Sequence, residues 1–285
     1  RHTPFSPAMA ARHTMVSWGG QPLPRSFDSV FYGAAGSGDD EITAGYTAWY
    51  RADDVTRSGN NVTQWNDRSG NGIHMLQYTA ANTGVSPTVS PQWVSSDSNF
   101  NGQPSIDFTA QNDSNFIRFS TVAGPQNSGT GTASMYTNGG DQFSMFAVYR
   151  SVAGSTILGY DIVFGDSQGY LWLGPASTSA FSIGNNTLTQ SGWSRGTTFA
   201  SHGFNGATSG SANLTLKTTG LSTVNSGSNN AFSSRGNAMS IGGAVTADQR
   251  FRGHIAECIM YPTALTGDDA SKTEDYLADR YNLTW

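Results

Sequence analysis

The amino-acid sequence predicts an all-β protein: a two-sheet antiparallel jelly-roll sandwich with one C-terminal helix and an extended N-terminal arm. Three observations lead there. Short runs rich in Val, Ile, Thr, Tyr, Phe and Trp recur from Gly45 onward, and these side chains suit a pleated, half-buried surface. Gly, Ser, Asn and Asp separate the runs, each able to satisfy or bend the backbone in a turn. Helical spacing appears once, close to the end, so the helices do not alternate with strands as a parallel sheet requires.

Taken in order, residues 1–43 stand apart. Pro4, Pro7, Pro22 and Pro24 interrupt any regular element, and Phe5, Met15, Trp18, Phe27 and Tyr32 are apolar without a period. The segment is too hydrophobic for a free linker. It reads as an arm lying on its own domain or on a neighbouring subunit, with 33–40 (GAAGSGDD) as a hinge. Strands are then expected over 46–52, 61–67, 103–109, 116–120, 143–150, 155–165, 169–174, 213–218, 238–243 and 251–261. The run 143–150 (FSMFAVYR) is almost wholly apolar, as in a strand buried on both faces. In 169–174, alternation puts Leu171 and Leu173 on the core side and Tyr170 and Trp172 on the other. A helix is expected over 267–281. Thr266 and Asp269 form a capping-box-like start, Asp268 and Asp269 favour the positive end of the dipole, and Ala270, Thr273, Leu277, Ala278 and Tyr281 make a docking stripe.

Composition narrows the function classes. The 285 residues fit one large sandwich, and 36% hydrophobic content is too high for disorder. Charged residues make up only 12%, with Lys217 and Lys272 the two lysines. The surface is therefore mainly hydroxyl and amide, a texture of extracellular, cell-surface or virion-surface proteins. A net charge of −5 without any basic run argues against nucleic acid. No apolar stretch approaches the ~20 residues of a membrane span. Cys258, the single cysteine, sits in the apolar run 255–260 and reads as a buried small hydrophobe.

Two stretches carry a family resemblance. The first, 48–77, contains Trp49, Ala52 and Asp53, then Trp65, Asp67, Ser69, Gly70, Asn71 and Gly72 in a Trp-x-Asp-x-Ser-Gly-Asn-Gly turn. The second, 251–283, contains Gly253, Ile255, Ala256 and Glu257, then Tyr276, Leu277 and Tyr281. Together they resemble the laminin-G-like branch of the concanavalin A-like lectin/glucanase superfamily, in outline over 45–285. That resemblance implies a two-sheet jelly roll with variable loops at one rim. It also implies that one Ca2+ can sit between rim loops on Asp, Asn and carbonyl oxygens; Asp161, Asp166, Asn185 and Asn186 lie at mid-chain turns suited to this, although such turns also arise from local backbone bonding alone. Within the motif, Asp67 can accept backbone N–H bonds while Gly70 and Gly72 supply positive φ. Trp49 and Trp65 are expected to pack from neighbouring strands, and Asp53 and Glu257 to be tied to loop amides.

Catalysis finds little support in the sequence. A glucanase needs two carboxylates facing one glycosidic bond, and the i+2 and i+5 positions after Glu257 are Ile259 and Pro262. A hydrolase would have to draw on aspartates scattered over several loops. The histidines lack flanking motifs, no zinc spacing occurs, and no phosphate-binding Gly-rich loop is present. Sugar binding uses exposed aromatic faces, for which Tyr170, Trp172 and Trp193 are the candidates. The reading is a non-catalytic, lectin-like surface module that binds glycan, displayed on a larger surface or virion assembly. A structural phage decoration protein, clasping protein neighbours through residues 1–43, is the alternative, and a glycoside hydrolase is the third.

Overall fold

A computed structural model describes residues 42–285 except 80–89, 111–116, 122–141, 153–160, 167–170, 176–178, 184–185, 207–210, 231–237 and 245–249. The arm expected over 1–43 lies outside the described residues apart from Ile42 and Thr43. The strands are β1 (Ala48–Arg51), β2 (Val55–Ser58), β3 (Asn61–Trp65), β4 (Met75–Thr79), β5 (Gln92–Val94), β6 (Ser105–Asp107), β7 (Ile117–Ser120), β8 (Phe143–Ser151) and β9 (Phe164–Asp166). They continue with β10 (Leu171–Pro175), β11 (Ser179–Ile183), β12 (Asn186–Gln190), β13 (Thr198–Asn205), β14 (Ser211–Thr218), β15 (Val224–Asn230), β16 (Met239–Ile241) and β17 (Gly253–Tyr261), followed by helix α1 (Gly267–Tyr281).

The pairings are antiparallel and build two layers. In the back layer β17 pairs along its length with β8, and β13, β14 and β15 follow outward. The other edge of β17 is shared by β1, opposite its C-terminal half, and β6, opposite its start. The front layer runs β2-β3-β4-β7-β16-β9-β10-β11-β12. β5 links the layers by pairing with both β3 and β6. The chain is thus an all-β sandwich with a C-terminal helix.

Strand alternation divides the apolar side chains between two cores. Met145 and Tyr149 of β8 point between the layers, with Leu171 and Leu173 of β10, Leu214 and Leu216 of β14, Phe119 and Ile255. Phe146 and Val148 of β8 point the other way, onto α1, with Trp49, Ile259, Leu277 and Tyr281. Each such side chain taken fully out of water contributes about 1.5–3 kcal/mol, so α1 completes the fold by covering a second apolar face. Its bounds and its stripe of Ala270, Thr273, Leu277 and Tyr281 follow the sequence, with Glu274 added to the buried face. The capping box does not form: Thr266 is extended but makes no side-chain cap bond. Ile42 packs in the same core, and Thr43 accepts at its carbonyl from the Tyr261 hydroxyl at 2.8 Å, so these two residues belong to the sandwich.

The motif from Trp49 to Gly72 is a scaffold with two corrections. Asp67 accepts the backbone N–H groups of Trp49 (3.1 Å), Ser69 (2.9 Å) and Ile73 (3.0 Å), while Gly70 and Gly72 have φ of 81° and 70°. Trp49 and Trp65 are both fully buried, but they do not lie on paired strands. β1 hydrogen-bonds to β17, and β3 to β2, β4 and β5; Trp49 fills the helix-side core and Trp65 the inter-layer core. Nor do loop amides hold Asp53 and Glu257. Asp53 takes Arg51 at 2.6 Å and Arg280 at 3.2 Å, and Glu257 takes side chains described next.

Candidate functional site

Both described glutamates are committed to the scaffold. A register shift between Ile255 and Glu257 in β17 is a bulge that turns Ala256 and Glu257 to the same face. Glu257 is thereby buried beneath α1, where it accepts from Trp49 Nε1, from the Tyr276 hydroxyl (3.1 Å) and from the Tyr281 hydroxyl (2.7 Å). Burial raises its pKa, opposed by Arg280 and by the Tyr281 and Trp49 donors. Glu274, on α1, bonds His202 Nδ1 at 2.8 Å and Lys217 Nζ at 2.9 Å. Burial works against its ionisation, yet the two partners together hold its carboxyl below the ordinary range. Neither glutamate faces an open cleft as an acid or nucleophile.

Among the described acids, Asp161 is buried with a carboxylate oxygen left unpartnered. Its N–H donates to the Pro175 carbonyl at 2.8 Å, placing it against the end of β10. The side chain is 6% exposed and Oδ2 has no hydrogen-bond partner. Burial pushes its carboxyl up to about 7, against the lowering influence of Arg195 and Arg252. A buried polar atom without a partner is uncommon, and this end of the sandwich has others. Ser151, the last residue of β8, is 1% exposed with an unpartnered Oγ. Trp193 has a buried, unpartnered indole N–H.

Backbone hydrogen bonds tie together the segments that carry Ser151, Trp193 and the two arginines. The loop 191–197 joins β12 to β13 and carries Trp193 and Arg195; Gly192 and Gly196 have φ of 87° and 81° there, a conformation that disfavours any residue with a Cβ. Gly196 N–H donates to the Ser151 carbonyl at 2.9 Å, and Val152 N–H donates to the Arg252 carbonyl at 3.1 Å. These bonds join the segments bearing a hydroxyl, an indole N–H and two guanidinium groups, and both guanidinium groups act on the Asp161 carboxyl. Such a set can donate to and accept from ligand hydroxyls. The loop also borders a hydroxyl-lined cleft of about 420 Å³, with Ser194, Thr197, Thr198 and Thr284 over a floor of Phe199 and Leu221. A larger cleft, about 630 Å³, runs beside α1, but its Tyr276 and Arg280 already serve Glu257 and Asp53.

The expected site residues meet different fates. Tyr170 and Asn185 lie outside the described residues, as do the side chains of Asp166 and Asn186. Trp172 is on the face alternation assigned it, opposite Leu171 and Leu173. It is only 2% exposed, however, packed with Ile162, Ala180 and Ala244. That corrects its role as a sugar platform, because a ring needs an open face to stack. Trp193 is half-buried against the main core, its ring 6.4 Å from that of Phe199. Of the four residues expected to hold calcium, Asp161 alone has its side chain among the described residues, and there Arg195 and Arg252 act on it. Ser151, Arg195 and Arg252 were not foreseen; only proximity in the fold joins them to Asp161.

No protein-family model matches the chain, and no curated protein matches it. Solved structures do. Domain 4 of AbnA, an extracellular GH43 arabinanase from Geobacillus stearothermophilus solved with arabinotriose, is 15% identical with a TM-score of 0.50, covering 81% of this chain and 98% of that one. A GH54 α-L-arabinofuranosidase is 14% identical with a TM-score of 0.52, covering 85% of this chain and 60% of that one. Trypanosoma rangeli sialidase aligns at 12% identity with a TM-score of 0.47, over 84% of this chain and 33% of that one. These are likenesses of fold. The first two, a domain of an arabinanase and an arabinofuranosidase, correct the expectation of a non-catalytic lectin-like module or decoration protein displayed on a surface or virion, and the display readings are set aside. Among the described residues, no helix is long and apolar enough to cross a membrane.

Proposed function

We propose that this chain is a polysaccharide-recognising domain of an extracellular glycan-degrading protein, with the rim around Asp161, Ser151 and Trp193 as its sugar site. The observation carrying the reading is that Asp161 Oδ2, Ser151 Oγ and Trp193 Nε1 are all buried with no hydrogen-bond partner among the described residues. Leaving such groups unsatisfied costs about 1–3 kcal/mol each, and ligand hydroxyls would satisfy an acceptor, a hydroxyl and an indole donor together. Arabinotriose in the structure of AbnA Domain 4 supports testing arabino-oligosaccharides first. Titration calorimetry with arabinotriose and xylotriose should show binding that Trp193→Ala abolishes. Absence of heat with every oligosaccharide tried would refute the reading. The Trp49, Asp67 and Gly72 motif supports placing the domain in the laminin-G-like branch.

Hydrolysis is a second reading, favoured by one observation: a carboxyl that titrates near 7 can act as a general acid at neutral pH. A glycosidase also needs a second carboxylate, about 5–9.5 Å away, and no other described carboxylate acts on Asp161. Release of reducing ends that disappears in Asp161→Asn would favour this reading over recognition alone.

A further inference from the structure

The turn that follows β3 carries a chemistry that its scaffold role does not use. Gly72 has a φ of 70°, a conformation that favours glycine over any residue with a Cβ, and the residue before it is Asn71. A side-chain amide is thereby set beside a backbone nitrogen that no side chain shields. Four Asn-Gly pairs occur in the sequence, of which 138–139 lies outside the described residues.

The other three differ in what holds the glycine nitrogen. Gly102 N–H donates to the Asp97 carbonyl at 3.0 Å, and Gly206 N–H donates to the Asn213 carbonyl at 2.9 Å. Asn205 is also fully buried, its Oδ1 accepting from the Asn213 N–H at 2.9 Å. Gly72 N–H makes no hydrogen bond among the described residues. Asn71 and Gly72 are both exposed, and a methyl group on Gly72 would meet no atom within 4 Å, so the pair faces open solvent.

We propose that Asn71 is a self-modifying site, deamidating through a cyclic imide ahead of Asn101 and Asn205. The Gly72 nitrogen gives its proton to hydroxide and attacks Asn71 Cγ. The N–Cγ bond forms, the Cγ–Nδ2 bond breaks, and Nδ2 leaves as ammonia. Water then opens the imide: attack at Cγ gives aspartate, and attack at the backbone carbonyl carbon gives isoaspartate. At the other two pairs a hydrogen bond must first be broken, which slows them about fivefold. The reaction removes a fastening. Asn71 Nδ2 donates to the Thr47 carbonyl at 2.9 Å, just ahead of β1. Asn71 N–H donates to Ser69 Oγ at 3.2 Å, which itself donates to Asp67 Oδ2 at 2.6 Å. Either product puts a carboxylate, which only accepts, in place of the Nδ2 donor.

The test keeps the whole chain at pH 8.5 and 37 °C, folded or in urea, and follows Asn71, Asn101 and Asn205 by mass-spectrometric peptide mapping. In the folded chain Asn71 should convert about fivefold faster than the other two, and in urea the three rates should converge. Equal folded-state rates, or Asn71 outlasting the others, overturn the assignment. The same spread in urea overturns its structural cause. Aged wild type should melt about 2–4 °C lower than fresh protein, and fresh Asn71→Asp should melt as low. Aged Asn71→Gln, whose longer side chain closes the ring slowly, should melt with its own fresh sample. Asn71→Asp melting with fresh wild type, or Asn71→Gln falling on ageing as far as wild type does, overturns the loss of the fastening.

Discussion

Replacing Glu257 with Gln tests how α1 is fastened to the back layer. The carboxylate accepts from Trp49 Nε1, from the Tyr276 hydroxyl at 3.1 Å and 3.2 Å, and from the Tyr281 hydroxyl at 2.7 Å, with Arg280 Nε 3.7 Å away. Gln keeps one acceptor oxygen. Its NH2 then meets a hydroxyl that had been donating, so that hydroxyl must turn and accept. One charge-assisted bond is lost and the others become neutral ones. Bonds to a charged group contribute about 1.5–3 kcal/mol each, so the variant should lose about 2–4 kcal/mol. For a domain of this size about 1 kcal/mol moves the midpoint by 2–4 °C, which gives a fall of about 4–16 °C by calorimetry at pH 8. Tyr281→Phe removes a single donor and should cost less. A Glu257→Gln midpoint within about 2 °C of wild type would refute the reasoning, because it would mean the buried carboxyl is already neutral.

Other expectations follow from buried groups. His202 is fully buried, stacked on Phe146 with centroids 3.9 Å apart, and its Nε2 has no partner. Burial lowers its pKa despite the pull of Glu274, so the unfolded chain takes up the proton first as acid is added. The contribution of His202 is present above the ordinary value of about 6.5 and lost as pH falls below it; urea midpoints for wild type minus His202→Gln should shrink between pH 7.5 and pH 5.5. Asp161 has the opposite sign. Its folded value of about 7 lies above the ordinary carboxylate value of about 3.8, so its stabilising contribution is present at low pH and lost as pH rises through about 7. Asp161→Asn should therefore raise the melting midpoint at pH 8.5, by up to about 4 kcal/mol equivalent, and leave it unchanged near pH 4. Gly174→Ala would put a Cβ 2.2 Å from the Asp161 carbonyl oxygen, and overpacking of this kind should cost about 1–3 kcal/mol or more in chemical denaturation.

The strands visible in the sequence are those whose side chains differ from turn residues. FSMFAVYR and GHIAECIMY announce themselves, and β8 and β17 are the centre of the back layer. Strands β11, β12, β13 and β15 do not; VNSGSNN in β15 is all turn chemistry after its first residue, and only pairing with β14 makes it a strand. Alternation placed Trp172 on the correct face but could not say that Ile162, Ala180 and Ala244 would enclose it. The site was least legible. Trp193 could be nominated as an isolated aromatic in a loop, and Asp161 only as an ion ligand by family resemblance. Backbone bonds between segments about 45–100 residues apart bring the Trp193 and Arg195 loop to Ser151, and Val152 to Arg252, while Asp161 is connected to them through the influence of Arg195 and Arg252. The buried glutamates tell the same story: Glu257 meets Trp49 across 208 residues of chain.

The claim that the rim is a sugar site depends most directly on the indole N–H of Trp193, buried and unpartnered in the free protein. Its side-chain amide signal, assigned by its loss in Trp193→Phe, can be followed by two-dimensional nitrogen–proton NMR during titration with oligosaccharide at pH 5.5. This signal should move downfield as the indole N–H donates a hydrogen bond to a ligand oxygen, while the Trp49 and Trp65 signals, already donating to Glu257 and to the Arg51 carbonyl, stay in place. Binding that leaves the Trp193 signal unmoved would contradict it.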